Sequence, residues 1–205
     1  MTRLVLVTAG TGNPSASRLL GERLAAATVA ALTTRPAGRA PLAEAPVVTH
    51  LELRRLAVDL AQALITRLPS AALRQAFDAV RAADGVIAVS PVFNGSYSGL
   101  FKLFFDALDE GTMAGRPVLL AATGGTARHS LMIDHAMLPM FHYLKARIAP
   151  HGVFAATKDW GDEESKLSGR ISRAAEEFAS LVLASAPAKD TDEFSVPDFE
   201  DLLRG

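Results

Sequence analysis

The chain contains no cysteine among its 205 residues, which excludes disulfide staples, thiol nucleophiles and thiolate metal sites. Charge of one sign is not in excess either. Twenty-one basic residues stand against 22 acidic ones, a formal net charge of −1. That balance removes the long-range attraction a nucleic-acid binder needs. No apolar run approaches the roughly 20 residues that span a bilayer, so no membrane segment is expected. The short apolar stretch after Arg3 runs straight into a glycine turn, unlike a signal peptide. Metal-ligand spacing is missing too: His135 and His142 are seven apart, without a carboxylate or third ligand at zinc-like spacing. What remains is a globular mixture of 49% hydrophobic and 21% charged residues, which rules out general disorder. The length fits one domain that buries roughly 70% of the surface its unfolded chain exposes. The chain reads as a soluble, cytoplasmic protein.

Strand and helix signals alternate. Leu4 to Thr8, Gly85 to Ser90 and Pro117 to Ala122 are continuous apolar runs, as expected of strands covered on both faces. Val47 to Leu53 and Val153 to Thr157 read as two further strands. Helical periods cover Ser17 to Leu32, Leu56 to Leu68, Ser70 to Ala82, Gly99 to Leu108, His129 to Arg147 (with Pro139 as a potential kink) and Glu163 to Ala184. Residues 33–45, with Pro36, Gly38 and Pro41, read as a loop. This order predicts an α/β domain over residues 1–185, a doubly wound five-stranded parallel sheet with helices on both faces. Residues 186–205 differ: six acidic residues accompany Phe194, Phe199, Leu202 and Leu203. They read as an acidic tail or a docking arm.

In an open parallel sheet, ligands bind beyond the carboxyl ends of the strands. Three loops there are rich in small and hydroxyl residues. AGTGNPSASR, Ala9 to Arg18, offers glycines, the hydroxyls of Thr11, Ser15 and Ser17, and Arg18 at a helix start. Amides at a helix N-terminus suit a phosphate dianion, although a plain turn capped by Ser15 or Ser17 has the same composition. No Gly-Lys-Ser/Thr follows, and Ser15 stands where the dinucleotide fingerprint needs Gly or Ala, so a mononucleotide phosphate fits better. The second loop, Pro91, Val92, Phe93, Asn94, Gly95, Ser96 and Tyr97, places an apolar wall beside backbone amides, which suits a flat heteroaromatic ring. With Tyr97 at its centre, Gly95 to Gly99 is not a hydrolase nucleophile elbow. The third loop, Thr123, Gly124, Gly125 and Thr126, lets backbone approach a ligand, with His129 following. Taken alone, His129 reads first as a helix-start hydrogen bonder. Phe101, Phe104 and Phe105 read as core and subunit-interface aromatics. Trp160 suits packing or a ligand rim, and Arg54 with Arg55 are too few for a basic patch.

At these three loops the chain resembles the NADPH-dependent FMN reductase family of flavodoxin-like proteins. SPVFNGSYSGLFKLFFD, Ser90 to Asp106, matches the family's S/T-P-x-Y-N-G-S-x-x-G-x-L-K-x-x-x-D, with Phe93 in place of the usual Tyr. ATGGTARH, Ala122 to His129, resembles A-T-G-G-S-x-x-H of the reductases paired with flavin-dependent monooxygenases. AGTGNPSASR matches the phosphate loop G-S-x-R-x-x-S loosely. The resemblance covers about residues 3–182. It implies that Thr11, Ser15, Ser17 and Arg18 hold the FMN phosphate. Pro91 to Tyr97 would then border the isoalloxazine, and Thr123 to Thr126 with His129 would flank its other edge. It further implies a hydride transfer from NADPH or NADH to FMN without a catalytic acid, delivery of reduced flavin to a monooxygenase, and a homodimer or homotetramer. Two alternatives share the fold: a quinone, azo-dye or metal-ion reductase with prosthetic FMN, and a flavodoxin-like carrier without NAD(P)H oxidation. Flavodoxins tend to be strongly acidic, which this chain is not.

Overall fold

The computed structural model describes residues 1–34, 44–161 and 166–185. The expected tail therefore lies outside the described residues, as does most of the loop at 33–45. Strands β1 (Arg3–Thr8), β2 (Val47–Glu52), β3 (Gly85–Phe93) and β5 (Pro117–Gly124) are parallel, in the spatial order β2-β1-β3-β5. The fifth position is shared by β6 (Arg147–Ile148) and β7 (Val153–Ala156), both pairing with β5. Pro150 sits in the gap between them and has no N–H to give a ladder. Strand β4 (Ser96–Tyr97) folds back antiparallel on β3. Six parallel segments thus build the five-position, flavodoxin-like order that the sequence predicts, with β4 as an antiparallel addition to β3.

Side-chain alternation along the strands divides the core. Leu4, Leu6, Ile87, Val89 and Leu119 pack under α1 (Ala16–Thr33) and α6 (Leu167–Ala184). Val5, Val7, Val86, Ala88 and Leu120 face the other layer. That layer holds α2 (Ala57–Thr66), α3 (Ala71–Arg81), α4 (Gly99–Asp106) and α5 (Leu138–Tyr143). No helix among the described residues is long and apolar enough to cross a membrane.

Two local expectations are corrected. The single helix predicted over His129 to Arg147 is three pieces: a 3-10 turn at Ala127–His129, a π-helical turn at Ile133–Met137, and α5. Pro139 falls within the first two positions of α5, where its missing N–H costs nothing. Lys145, with φ of 59°, ends the segment ahead of β6. The second correction concerns α4. Phe101, Phe104 and Phe105 are 0%, 0% and 2% exposed within this one chain, so no ring surface remains for a neighbouring subunit. With Phe141 they form a cluster whose centroid separations include 4.8 Å (Phe101–Phe105) and 4.9 Å (Phe105–Phe141). Each such ring buried contributes about 1.5–3 kcal/mol.

Candidate active site at the carboxyl edge of the sheet

The strand register brings the three loops together. Thr8 lies opposite both Val89 and Glu52, Pro91 lies opposite Thr123, and Gly124 lies opposite Ala156. The turns after β1, β3 and β5 therefore leave one edge side by side. A buried hydrogen bond of 2.8 Å joins the Ser17 hydroxyl to that of Thr123 and ties the first loop to the third.

The first loop is wound tightly. A Cβ on Gly10 would stand 2.1 Å from Ser15 Oγ, so any larger residue there would push Ser15 out of its capping position. Ser15 caps α1, its Oγ accepting from the Arg18 N–H at 3.2 Å. The amides of Ala16 and Ser17 have no intrahelical acceptor by the geometry of a first turn. Thr11, Gly12, Asn13 and Pro14 are exposed. The Arg18 guanidinium is engaged by carboxylates, Nε donating to Glu22 at 2.7 Å and Nη1 to Glu52 at 3.3 Å. An open cavity of about 480 Å³ runs along this loop, lined by Asn13, Pro14, Ser15, Ala16, Arg18, Leu19, Glu22 and Trp160. Trp160 thus has a rim position, with Arg23 over its ring at 5.3 Å.

The second loop, Pro91 to Tyr97, is a hairpin rather than irregular chain. Asn94 and Gly95 occupy left-handed backbone, φ 50° and 81°. This is the two-residue Asn-Gly turn that matches strand twist. Phe93, 46% exposed, pairs with Ser96, and Val92 with Tyr97. Tyr97 is half-buried and packs on Phe101 at 5.7 Å between centroids. Ser90 Oγ accepts the Ser98 N–H at 2.9 Å, and Ser98 in turn caps α4 through the Phe101 N–H. The hairpin is thereby fixed to both strand and helix. In the third loop Gly124 packs against Phe154 and Val92. Gly125, Thr126 and His129 are exposed, and the His129 N–H donates to the Thr126 carbonyl at 3.3 Å.

Glu52 and His50, to which nothing in the sequence draws attention, stand at the same edge together with Arg54 and Arg55. The Glu52 carboxylate, 11% exposed, receives Arg55 at 3.0 Å, Arg54 at 3.2 Å and Arg18 at 3.3 Å. Burial pushes its carboxyl up, but the guanidiniums of Arg55, Arg18 and Arg54 together hold it below the usual carboxylate range. Arg54 also donates to the Gly12 carbonyl at 3.3 Å. His50 Nε2 and Thr8 Oγ1 are 2.9 Å apart. A larger cleft, about 540 Å³, opens between α2, α3 and α4 beside Arg67, Phe77, Arg81 and Leu103. It lies where α3 leads into the start of β3, away from the loops. No group of three or more His, Asp or Glu that could hold a metal ion occurs among the described residues.

The donor set fits a flavin mononucleotide. A glycine cradle, free first-turn amides and the hydroxyls of Thr11 and Ser15 suit a phosphate dianion. The exposed Phe93 ring and the open backbone at Gly95 and Gly125 suit a planar heterocycle. The comparisons agree. The chain is 35% identical over 183 residues to a Pseudomonas aeruginosa protein named FMN reductase (NADPH), covering 87% of this chain and 91% of that one. It is 36% identical over 183 residues to the NADH-dependent FMN reductase SfnF of Pseudomonas fluorescens, with the same coverage. A solved oxidoreductase from Corynebacterium diphtheriae superposes with a TM-score of 0.84 at 41% identity, over 91% of this chain and 99% of that one. The family described as NADPH-dependent FMN reductase matches residues 2–161, and the chain belongs to that family.

Proposed function

We infer that this protein is an NAD(P)H:FMN oxidoreductase, transferring a hydride from a reduced nicotinamide dinucleotide to FMN and passing the reduced flavin to a flavin-dependent monooxygenase. When bound, FMN supplies the electron-accepting ring. The chain's own residues bind and align. Thr11, Ser15 and the first-turn amides of α1 hold the phosphate, with Arg18 and the buried Ser17 supporting them from the helix. Pro91, Val92, Phe93, Asn94, Gly95, Ser96 and Tyr97 wall one side of the ring. Thr123, Gly124, Gly125, Thr126 and His129 flank its other edge. No side chain needs to move a proton, because alignment of the two rings carries the rate.

One observation supports this reading most: the register and the Ser17–Thr123 hydrogen bond hold all three loops at one carboxyl edge. Delivery to a monooxygenase is supported by the third loop's likeness to the monooxygenase-associated reductases. Assembly as a homo-oligomer is supported by α2 and its end, where Val58, Leu64, Ile65 and Leu68 are each more than half exposed. The test follows NADPH and NADH oxidation by the purified protein with added FMN, with quinone, and with neither. Turnover that depends on added FMN is expected. Quinone reduction by a protein that purifies yellow, without added flavin, would instead favour the prosthetic-FMN reductase, and no oxidation at all would favour a carrier.

A further inference from the structure

We propose that Glu52 is a positioning residue for the phosphate loop, acting through Arg54 on the outgoing limb of the loop and through Arg18 on the returning helix. This rests on the reading of the β1 loop as the FMN phosphate loop.

The geometry is specific. Glu52 is the last residue of β2 and lies opposite Thr8, the last residue of β1 before the loop. Oε2 serves the outgoing limb, while Oε1 is shared between Arg18 of the returning helix and Arg55, whose Nη2 lies 3.0 Å away. Oε2 accepts from Arg54 Nε at 3.2 Å, and the same guanidinium donates through Nη1 to the Gly12 carbonyl at 3.3 Å. Oε1 accepts from Arg18 Nη1 at 3.3 Å, in the first turn of α1. One carboxylate therefore spans the loop's entry and exit. A planar guanidinium can serve Glu52 and Gly12 together because its donors diverge from a rigid fork, which a lysine lacks. Holding the Gly12 carbonyl on Arg54 orients that peptide and limits the conformations the loop must give up on binding.

The sign of the expected effect separates this role from plain electrostatics. Glu52 is an anion beside an anion site, so removing its charge alone would tighten FMN binding by lowering repulsion. Bracing predicts the reverse. Glu52→Gln and Arg54→Lys should each weaken FMN affinity about tenfold by fluorescence titration, the change expected for losing a charge-assisted hydrogen bond. Arg54→Lys keeps the charge, so its loss would be one of geometry. In FMN-free protein, amide exchange in residues 9–18 should be faster in both variants, with the far-UV circular dichroism unchanged. Equal or tighter FMN binding in Glu52→Gln, with a steeper salt dependence and unchanged loop exchange, would overturn the proposal. Faster loop exchange with unaltered affinity would overturn it as well. A parent that binds no FMN, with the loop still loosened in both variants, would refute the flavin reading and leave the brace standing.

Discussion

His50 shows how much one residue's surroundings matter. It sits on β2 two residues before Glu52, half-buried, with Nε2 against the Thr8 hydroxyl. Burial lowers its pKa from the usual 6.5; Glu52 and Glu22 push it up, Arg18 and Arg55 push it down, and the balance stays low. A depressed folded-state value means the unfolded chain binds the proton more readily. The stability this provides is complete above the unfolded value and is lost as pH falls below it. Urea denaturation of the parent should therefore show stability declining as pH drops through about 6.5, before the carboxylates titrate. His50→Gln should flatten that part of the profile. An identical decline in the variant would assign it elsewhere. Nothing in a lone histidine on a half-apolar strand reveals this, because the partner hydroxyl is 42 residues away in sequence. The same holds for Glu52, whose importance depends on register with Thr8. By contrast Ser15, three residues before Arg18 at a helix start, could be read directly as a cap.

At the level of elements, continuous apolar runs gave β1, β3 and β5 their places, since a buried parallel strand writes itself as Val, Leu and Ile without alternation. The hairpin after β3 is not evident from composition, although Asn94-Gly95 is its strongest short signal. Proline at position 91 and the hydroxyl-rich flanks resembled a loop. The broken segment after His129 was hidden because a π turn has almost the composition of an α-helix. Gly95 allows a direct check of the hairpin. Its φ is 81°, and a Cβ there would meet nothing within 4 Å. The cost of Gly95→Ala is thus purely one of left-handed backbone, about 1–2 kcal/mol. Thermal or urea unfolding should show that loss together with weaker FMN binding, as Phe93 and Tyr97 shift. Full stability in Gly95→Ala would mean the turn is not left-handed there.

At the scale of the molecule, the doubly wound order was legible because strand and helix signals alternate and right-handed crossovers leave few arrangements. Its use was legible because three loops of unusual composition follow the first, third and fourth strands of the sequence, which the order makes neighbours. The cleft between α2, α3 and α4 was not, since it arises from how helix ends meet. If the loops after β1, β3 and β5 together form one FMN site, hydrogen exchange with and without saturating FMN will reveal it. Protection is expected to be confined to residues 9–18, 91–98 and 123–129, arising together at one FMN concentration. Protection of residues 63–81, around the α2–α3–α4 cleft, with these three loops unchanged, would contradict it.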